Sequence, residues 1–438
     1  MDSVLATAYL RWALARAALA RGWWSATAVY LVVVVELSPA QLVLVGVFQG
    51  LTVVIAEVPA GVLADAVSRR LALVVAHVVM GTGMALTAVV SGYPLIVLTQ
   101  CLWGLGWAIS SGADVAWITD ELDRPDLIDR VLTAQGRYDL IGTPVGLVGF
   151  GALAWATTLS TAIIVAGLGM VGLGLLVVAR WPESRRPTAG SGSRSRATMA
   201  IVRQGLRVAR RDRVVRLVLV ATVLVHGGAQ GFGRLFELHL IDLGMPSSPA
   251  PIVWFAGISL VAAALGATTL YWMERRIGRG DVARSAYVAA SGIGATGLVV
   301  FAHAPTASSA VVGSLLIKGL GLPTIRVAST ILVNRRTTSD ARATVHSLLS
   351  QAENLGEIVF GLLLAAMVTT TSPTITLLGS AVLIALAGAT VSAAPDTHGS
   401  SRGSRGPTER SRHAAPRVLR RGDREQAVGP SRDQSTSG

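Results

Sequence analysis

About twelve apolar runs of roughly twenty residues, set apart by short turns or charged links, dominate this chain and leave few folds open to it. A helix of that length crosses the ~30 Å hydrocarbon core of a bilayer, and it satisfies its own backbone hydrogen bonds where no water is available. In the first half the runs lie at about 13–36, 40–64, 71–91, 95–118, 131–157 and 160–180. In the second half they lie at about 215–240, 251–273, 283–303, 307–333, 343–369 and 373–393. Composition agrees: 52% of the 438 residues are hydrophobic and 14% are charged, against about 25% charged in soluble domains. The expected fold is an all-α membrane protein of about 12 transmembrane helices in two six-helix bundles. The first run carries Arg11, Arg16 and Arg21 and lacks a small-residue cleavage site, so it is not a cleavable signal. The single cysteine, Cys101, excludes an intramolecular disulfide framework and a Cys-rich metal site, and no cofactor or metal is expected.

The formal charge of +13 acquires meaning from its location. Alternate links hold Arg69 and Arg70, Arg124 and Arg130, the stretch 180–216, the stretch 275–284 and the stretch 335–342. The opposite links contain neither Lys nor Arg. By the positive-inside rule, both termini are expected in the cytoplasm of a multi-pass plasma-membrane protein, which requires an even number of spans. Residues 1–180 then form one bundle, 181–213 a basic cytoplasmic linker, 214–394 a second bundle and 395–438 a disordered tail. Within the linker, residues 200–211 have the composition of a basic amphipathic helix lying on anionic lipid. The tail holds nine arginines with no aromatic interleaved among them, so no nucleic-acid partner is expected.

Shifting the second half back by 214 positions (356 minus 142) lays Glu353-Asn-Leu-Gly356 over Asp139-Leu-Ile-Gly142. The same shift matches the 65–70 loop to the 275–284 loop, and the end of the fourth span to 334–336. A six-helix unit used twice is what a rocking, alternating-access carrier requires.

Between the second and third spans stands Gly61-Val-Leu-Ala-Asp65-Ala-Val-Ser-Arg69-Arg70, preceded by Glu57-Val-Pro59-Ala. This resembles the signature loop of the major facilitator superfamily, with Ala66 and Ser68 departing from its usual basic and glycine positions. Gly61 and Asp65 are one helical turn apart, so Gly61 permits close approach of a helix from the other bundle. The resemblance implies that Asp65 accepts hydrogen bonds from a helix N-terminus across the bundle interface, and that Arg69 reaches an acid at the end of the fourth span, Asp120 or Glu121. The glycine-rich run Gly142-Thr-Pro144-Val-Gly146 in the fifth span looks like the motif of the superfamily's proton-coupled drug antiporters, where a bent, small-residue face packs against the other bundle.

Ionisable groups inside spans are costly, which makes each a functional candidate. Glu57 suits proton exchange or a structural contact between bundles. Arg21 and Asp114, on the first and fourth helices that line the cavity in this family, are expected to pair. Arg137 and Asp139 read as gate or interface groups. His226 and Lys318 fall near mid-membrane on the cavity-lining seventh and tenth helices. His226 either titrates or is simply hydrogen-bonded. Lys318, the only lysine in the chain, either loses its proton in function, or snorkels, or pairs with Glu353 or Glu357. Arg326 lies near the level of Glu353, and Arg234 with Glu237 reads as a local pair at the outer gate. Trp23, Trp24, Trp103 and Trp107 are read first as packing or interfacial residues and second as substrate contacts.

The resulting expectation is a secondary transporter exporting a drug-like or amphipathic small molecule against proton entry. The alternatives are a metabolite importer or symporter and a non-transporting membrane receptor. The expected partners are a small-molecule substrate, protons and membrane lipids, and the chain is expected to be a monomer. No phosphate loop, His/Glu metal cluster or nucleophile elbow is present, so an enzyme is not expected. The intramembrane charges nearly balance, which gives no preference between cationic and anionic cargo.

Overall fold

The computed structural model describes residues 2–66, 68–122, 124–183, 207, 210–275, 282–337 and 339–394. Among them every regular element is helical. The first half comprises α1 (Asp2–Val33), α2 (Pro39–Ala66), α3 (Arg69–Leu86), α4 (Tyr93–Ser110), α5 (Ala113–Leu122), α6 (Pro125–Ala156) and α7 (Leu159–Arg180). The second comprises α8 (Arg213–Asp242), α9 (Pro251–Glu274), α10 (Val282–Ala302), α11 (Ala307–Leu315), a π-helical turn (Leu316–Gly321), α12 (Leu322–Asn334), α13 (Ser339–Thr370) and α14 (Pro373–Ser392). The proposed linker helix at 200–211 falls almost wholly outside the described residues, as do positions 276–281 of the counterpart loop and the tail from 395.

Helix ends follow local chemistry. Ser68, Thr158, Asp212, Thr306 and Ser372 each cap the helix that follows by accepting a backbone N–H in its first turn. The fourth span breaks into α4 and α5 at Gly112, whose φ of +77° suits glycine and interrupts the helix. The π-helical turn instead introduces an irregularity inside the tenth span.

Among the described residues, eleven segments are long and apolar enough to cross a membrane. The first helix is not among them, because Arg11, Arg16 and Arg21 depress its hydropathy. Arg16 and Arg21 line an internal cavity, so the polarity of α1 faces inward, and its 32 residues pack against α6 and α7 within the first bundle. Exposed residues such as Ile55, Leu140, Leu168 and Leu363 provide the outer apolar surface that lipid covers.

Between the bundles, α2 packs on α13 and α8, α6 on α9, and α1 on α8 and α9. A Cβ on Gly46 would overlap the Gln230 amide, one on Gly151 would lie 3.5 Å from Ala256, and one on Gly61 would meet nothing within 4 Å. The bundles therefore meet closely on the side away from the signature loop. The close approach expected at Gly61 is not made in this conformation.

The two halves repeat their contacts. Arg70 donates to the Val178 carbonyl and Arg284 to the Ser392 carbonyl, an offset of 214 at both ends (284 minus 70, 392 minus 178). The Thr158 and Ser372 caps keep that offset, as do the close approaches of Gly83 to Thr99 and Gly297 to Gly313. The fifth and eleventh spans keep it too: α6 and α13 are offset by 214 at both ends (339 minus 125, 370 minus 156). Gly142 and Gly146 abut the Leu14 and Ala18 carbonyls on α1, and Gly356 abuts the Val223 carbonyl on α8 in the same way. The glycines of α6 also serve a different neighbour from the one expected: Gly142 and Gly146 pack on α1 of their own bundle, while Pro144 lies inside the helix between them.

Gly146→Leu and Gly356→Leu would drive a side chain into a neighbouring backbone carbonyl, and overpacking of this kind costs about 1–3 kcal/mol. Both variants are expected to lower the thermal unfolding midpoint of detergent-purified protein by several degrees. Gly61→Val is expected to leave that midpoint unchanged, and an equal loss at all three positions would contradict the packing described.

Candidate functional site: a central cavity and its charge network

A cavity of about 390 Å³ lies beside α1, α4 and α6, with Arg16, Arg21, Trp24, Trp107, Asp139 and Thr143 on its wall. The aromatic side is a stack: the Trp23 and Trp103 rings lie 5.6 Å apart at 14°, and Trp103 and Trp107 lie 5.5 Å apart at 11°. Trp103 and Trp107 meet because residues four apart share a helix face. Trp23 is fully buried and donates to the Met84 carbonyl, whereas Trp24 and Trp107 remain 38% and 42% exposed. The stack thus divides the two readings of these tryptophans: Trp23 packs, while Trp24 and Trp107 present ring surface to the cavity.

Asp114 is buried and pairs with Arg16 at 3.5 Å rather than with Arg21. The break at Gly112 displaces Asp114 from the level that a continuous fourth helix would give it, and Arg16 is five residues nearer the start of α1. Arg16 also lies 4.9 Å over Trp12 and 5.9 Å over Trp107. Asp139 lines the cavity instead of a gate, with Thr143 one turn further along the same face. Arg137 is exposed.

On the second bundle, His226 of α8 stands between two carboxylates of α13, 3.6 Å from Glu353 Oε1 and 3.5 Å from Glu357 Oε1. Glu353 and Glu357 are one turn apart, so a single imidazole can face both. These acids are therefore the partners of His226 and not of Lys318. By the 214 offset of α6 and α13, Glu353 corresponds to Asp139 (353 minus 214), which lines the cavity in the first bundle. Lys318 sits on the π-helical turn with Nζ 3.9 Å from the Phe236 ring centre, and Glu237 and Arg21 are the charges acting on it. Arg326 is exposed.

At the closed end Arg234 makes no ion pair with Glu237. It reaches across to α2, donating to Gln49 Oε1 at 2.7 Å, and lies 5.1 Å over Trp24 of α1. Glu57 also bonds between bundles, accepting from Gln351 Nε2 of α13 at 2.5 Å.

The signature loop ties the first bundle together. Arg69 donates to the Asp120 carboxylate and, at 3.0 Å, to the Ala116 carbonyl. Ser68 donates to Glu183, and Arg70 reaches the end of α7 at Val178. Asp65 ends its helix, but its side chain lies outside the described residues. Beneath the loop, Trp117 stacks on Trp181 at 3.9 Å and donates to the Pro182 carbonyl, while Tyr9 donates to Gln135. Sequence reasoning missed Arg16, Gln49, Glu183 and Gln351 as partners. For Gln49 and Gln351, an uncharged polar residue within an apolar run was the available signal.

A double-mutant cycle of Arg16→Gln with Asp114→Asn, read as unfolding free energy, is expected to show coupling of about 0.5–3 kcal/mol. Arg21→Gln with Asp114→Asn should be additive within about 0.5 kcal/mol. The reverse pattern would restore the Arg21 pairing.

Comparison with known proteins places this arrangement. The sequence model of the Major Facilitator Superfamily matches residues 12–361. No curated protein matches the chain. Among solved structures, the chain is similar to the nucleoside transporter NupG, with TM-score 0.71, 14% identity, and coverage of 89% of this chain and 98% of that one. It is also similar to a bacterial homolog of the human lysosomal transporter Spinster in an inward-facing, occupied conformation (TM-score 0.69, 13% identity, 90% and 96% covered). The peptide transporter POT in complex with sulfate gives TM-score 0.68, 13% identity and 90% and 97% coverage. Identities this low speak for the fold alone, and with the family match over most of the chain they lead to one conclusion: this multi-pass membrane protein belongs to the Major Facilitator Superfamily and has its fold of two six-helix bundles, suited to secondary transport by alternating access.

Proposed function

We propose that the chain is a proton-coupled exporter of an amphipathic small molecule, held in the plasma membrane with both termini cytoplasmic. The observation that carries the coupling is His226 between Glu353 and Glu357. A proton taken up or lost among these three groups changes the local charge by one unit. Glu357 faces α2, with a carboxylate oxygen 3.9 Å from where a Cβ on Gly50 would stand, so the charge change is felt at the bundle interface. Arg234, which feels the charge of Glu357, is the residue that crosses the closed end to Gln49. Losing a proton from the cluster strengthens the pull of Glu357 on Arg234, whereas protonation releases it to its cross-bundle contacts. Asp114 and Glu57, held by Arg16 and Gln351, act as positioning groups in this reading.

The substrate occupies the tryptophan-lined cavity, whose apolar rings and flanking charges suit an amphipathic molecule. Export is supported by the glycine and proline pattern of α6, which looks like that of drug antiporters, and the cytoplasmic orientation by the distribution of arginine.

In proteoliposomes with an imposed pH gradient, Glu353→Gln, Glu357→Gln and His226→Asn are expected to lose gradient-driven substrate accumulation by at least tenfold while keeping exchange of substrate for substrate. An uncoupler should reproduce the loss in the unmodified protein. Flux indifferent to the gradient would remove the proton from the mechanism, and accumulation inward in right-side-out vesicles would make the protein an importer.

A further inference from the structure

The wall of the central cavity carries charges of both signs without partners. Arg16 is engaged by Asp114 at 3.5 Å and lies over the Trp12 and Trp107 rings. Arg21 and Asp139 line the same space, and neither side chain has a hydrogen-bond or ion-pair partner among the described residues. Arg137, Lys318 and Arg326 lack such a partner too, but they do not line this cavity. A third group on the wall, the Trp103 indole N–H, is buried with no acceptor. Helix register keeps Arg21 and Asp139 apart. α6 runs beside α1 in the same direction, with Gly142 on the Leu14 carbonyl and Gly146 on the Ala18 carbonyl. Asp139 therefore stands three residues short of the Leu14 level, and Arg21 is about ten residues further along, ~15 Å at ~1.5 Å per residue. Trp107, beside Arg16, falls between the two levels.

We infer that the cavity takes an aromatic zwitterion, its ring against Trp24 and Trp107, its acid group at Arg21 and the Trp103 N–H, and its ammonium group at Asp139. Each end of such a molecule brings what the wall lacks there. A carboxylate accepts paired hydrogen bonds from a guanidinium and has lone pairs left for an indole N–H, whereas an ammonium donates to a carboxylate. Between the two ends, a flat ring gains stacking area on indole. A singly charged molecule answers one end only and covers the opposite charge with apolar surface, where the loss of water is uncompensated. Spacing selects as well. Allowing for the reach of the long arginine stem, a molecule whose charges are on the order of 10 Å apart spans the two levels, while one with both charges on a single carbon meets only one of them. The inference rests on the transporter reading only in taking the cavity as the binding site.

Four probes with one ring system separate charge from spacing: 6-aminomethyl-2-naphthoate, with its charges at opposite ends, 2-naphthylalanine, with both on one carbon, 2-naphthoate and 2-naphthylmethylammonium. Titrated calorimetrically into the full-length protein in detergent, the first is expected to bind at least tenfold more tightly than each of the other three. Arg21→Gln should bring it to within threefold of the ammonium probe, and Asp139→Asn to within threefold of the carboxylate probe. Trp107→Leu should weaken all four and keep their order. The order on the unmodified protein decides the matter even where a variant fails to fold. Equal binding of either singly charged probe or of 2-naphthylalanine, or an advantage that survives both charge-removing variants, would overturn the assignment. Gradient-driven flux of a singly charged probe without the end-to-end zwitterion would overturn it and leave the transporter standing. Tight zwitterion binding with no flux of any probe in proteoliposomes would do the opposite.

Discussion

A charge inside a bilayer has no water to turn to, so each buried ionisable group must find its compensation within the protein or from what the protein binds. Much of this fold is arranged around that requirement. Arg16 settles on Asp114 and on two indole faces, Arg69 on Asp120 and a carbonyl, and His226 on two glutamates. Arg70 and Arg284 each reach a carbonyl close to the end of a helix, where backbone acceptors lack intrahelical partners. The few groups left without a partner are, for that reason, the most informative in the molecule.

The same requirement shapes the seam between bundles. Its polar bonds, Gln49 to Arg234 and Gln351 to Glu57, are set among small-residue contacts at Gly46, Gly50 and Gly361 and an extensive packing of α2 on α13. Polar bonds of this kind are modest in membranes, around 1 kcal/mol each. Two bundles meeting along such a seam suit a rocking motion of one half against the other.

The contact repeat shows how two related halves take different tasks. Where the first half has Asp139 on the cavity wall, the second has Glu353 beside His226. An acid is kept at equivalent places while its partner differs, which separates the substrate's site from the proton's in the reading proposed above.

Much was legible in the residues alone. Twelve runs of helix-spanning length, arginines confined to alternate links, and an acid and an arginine pair spaced around Gly61 lead to a two-bundle carrier and to the contact of Arg69 with the end of the fourth span. These features are local: they depend on length, on composition and on spacing within a single helix or loop. Pairing between helices was not legible. A break at Gly112 changes which arginine meets Asp114, and a π-helical turn carries Lys318 to Phe236, leaving Glu353 and Glu357 to His226. Each such outcome is set by the axial register of one helix against another. A shift of one turn, ~5.4 Å, exchanges every partner on a face while leaving the apolar pattern of the run unchanged. The amino-acid sequence by itself determined that this chain crosses a membrane as two related bundles; only the tertiary structure decided which charges meet and which line the cavity, because that depends on the register of one helix against another.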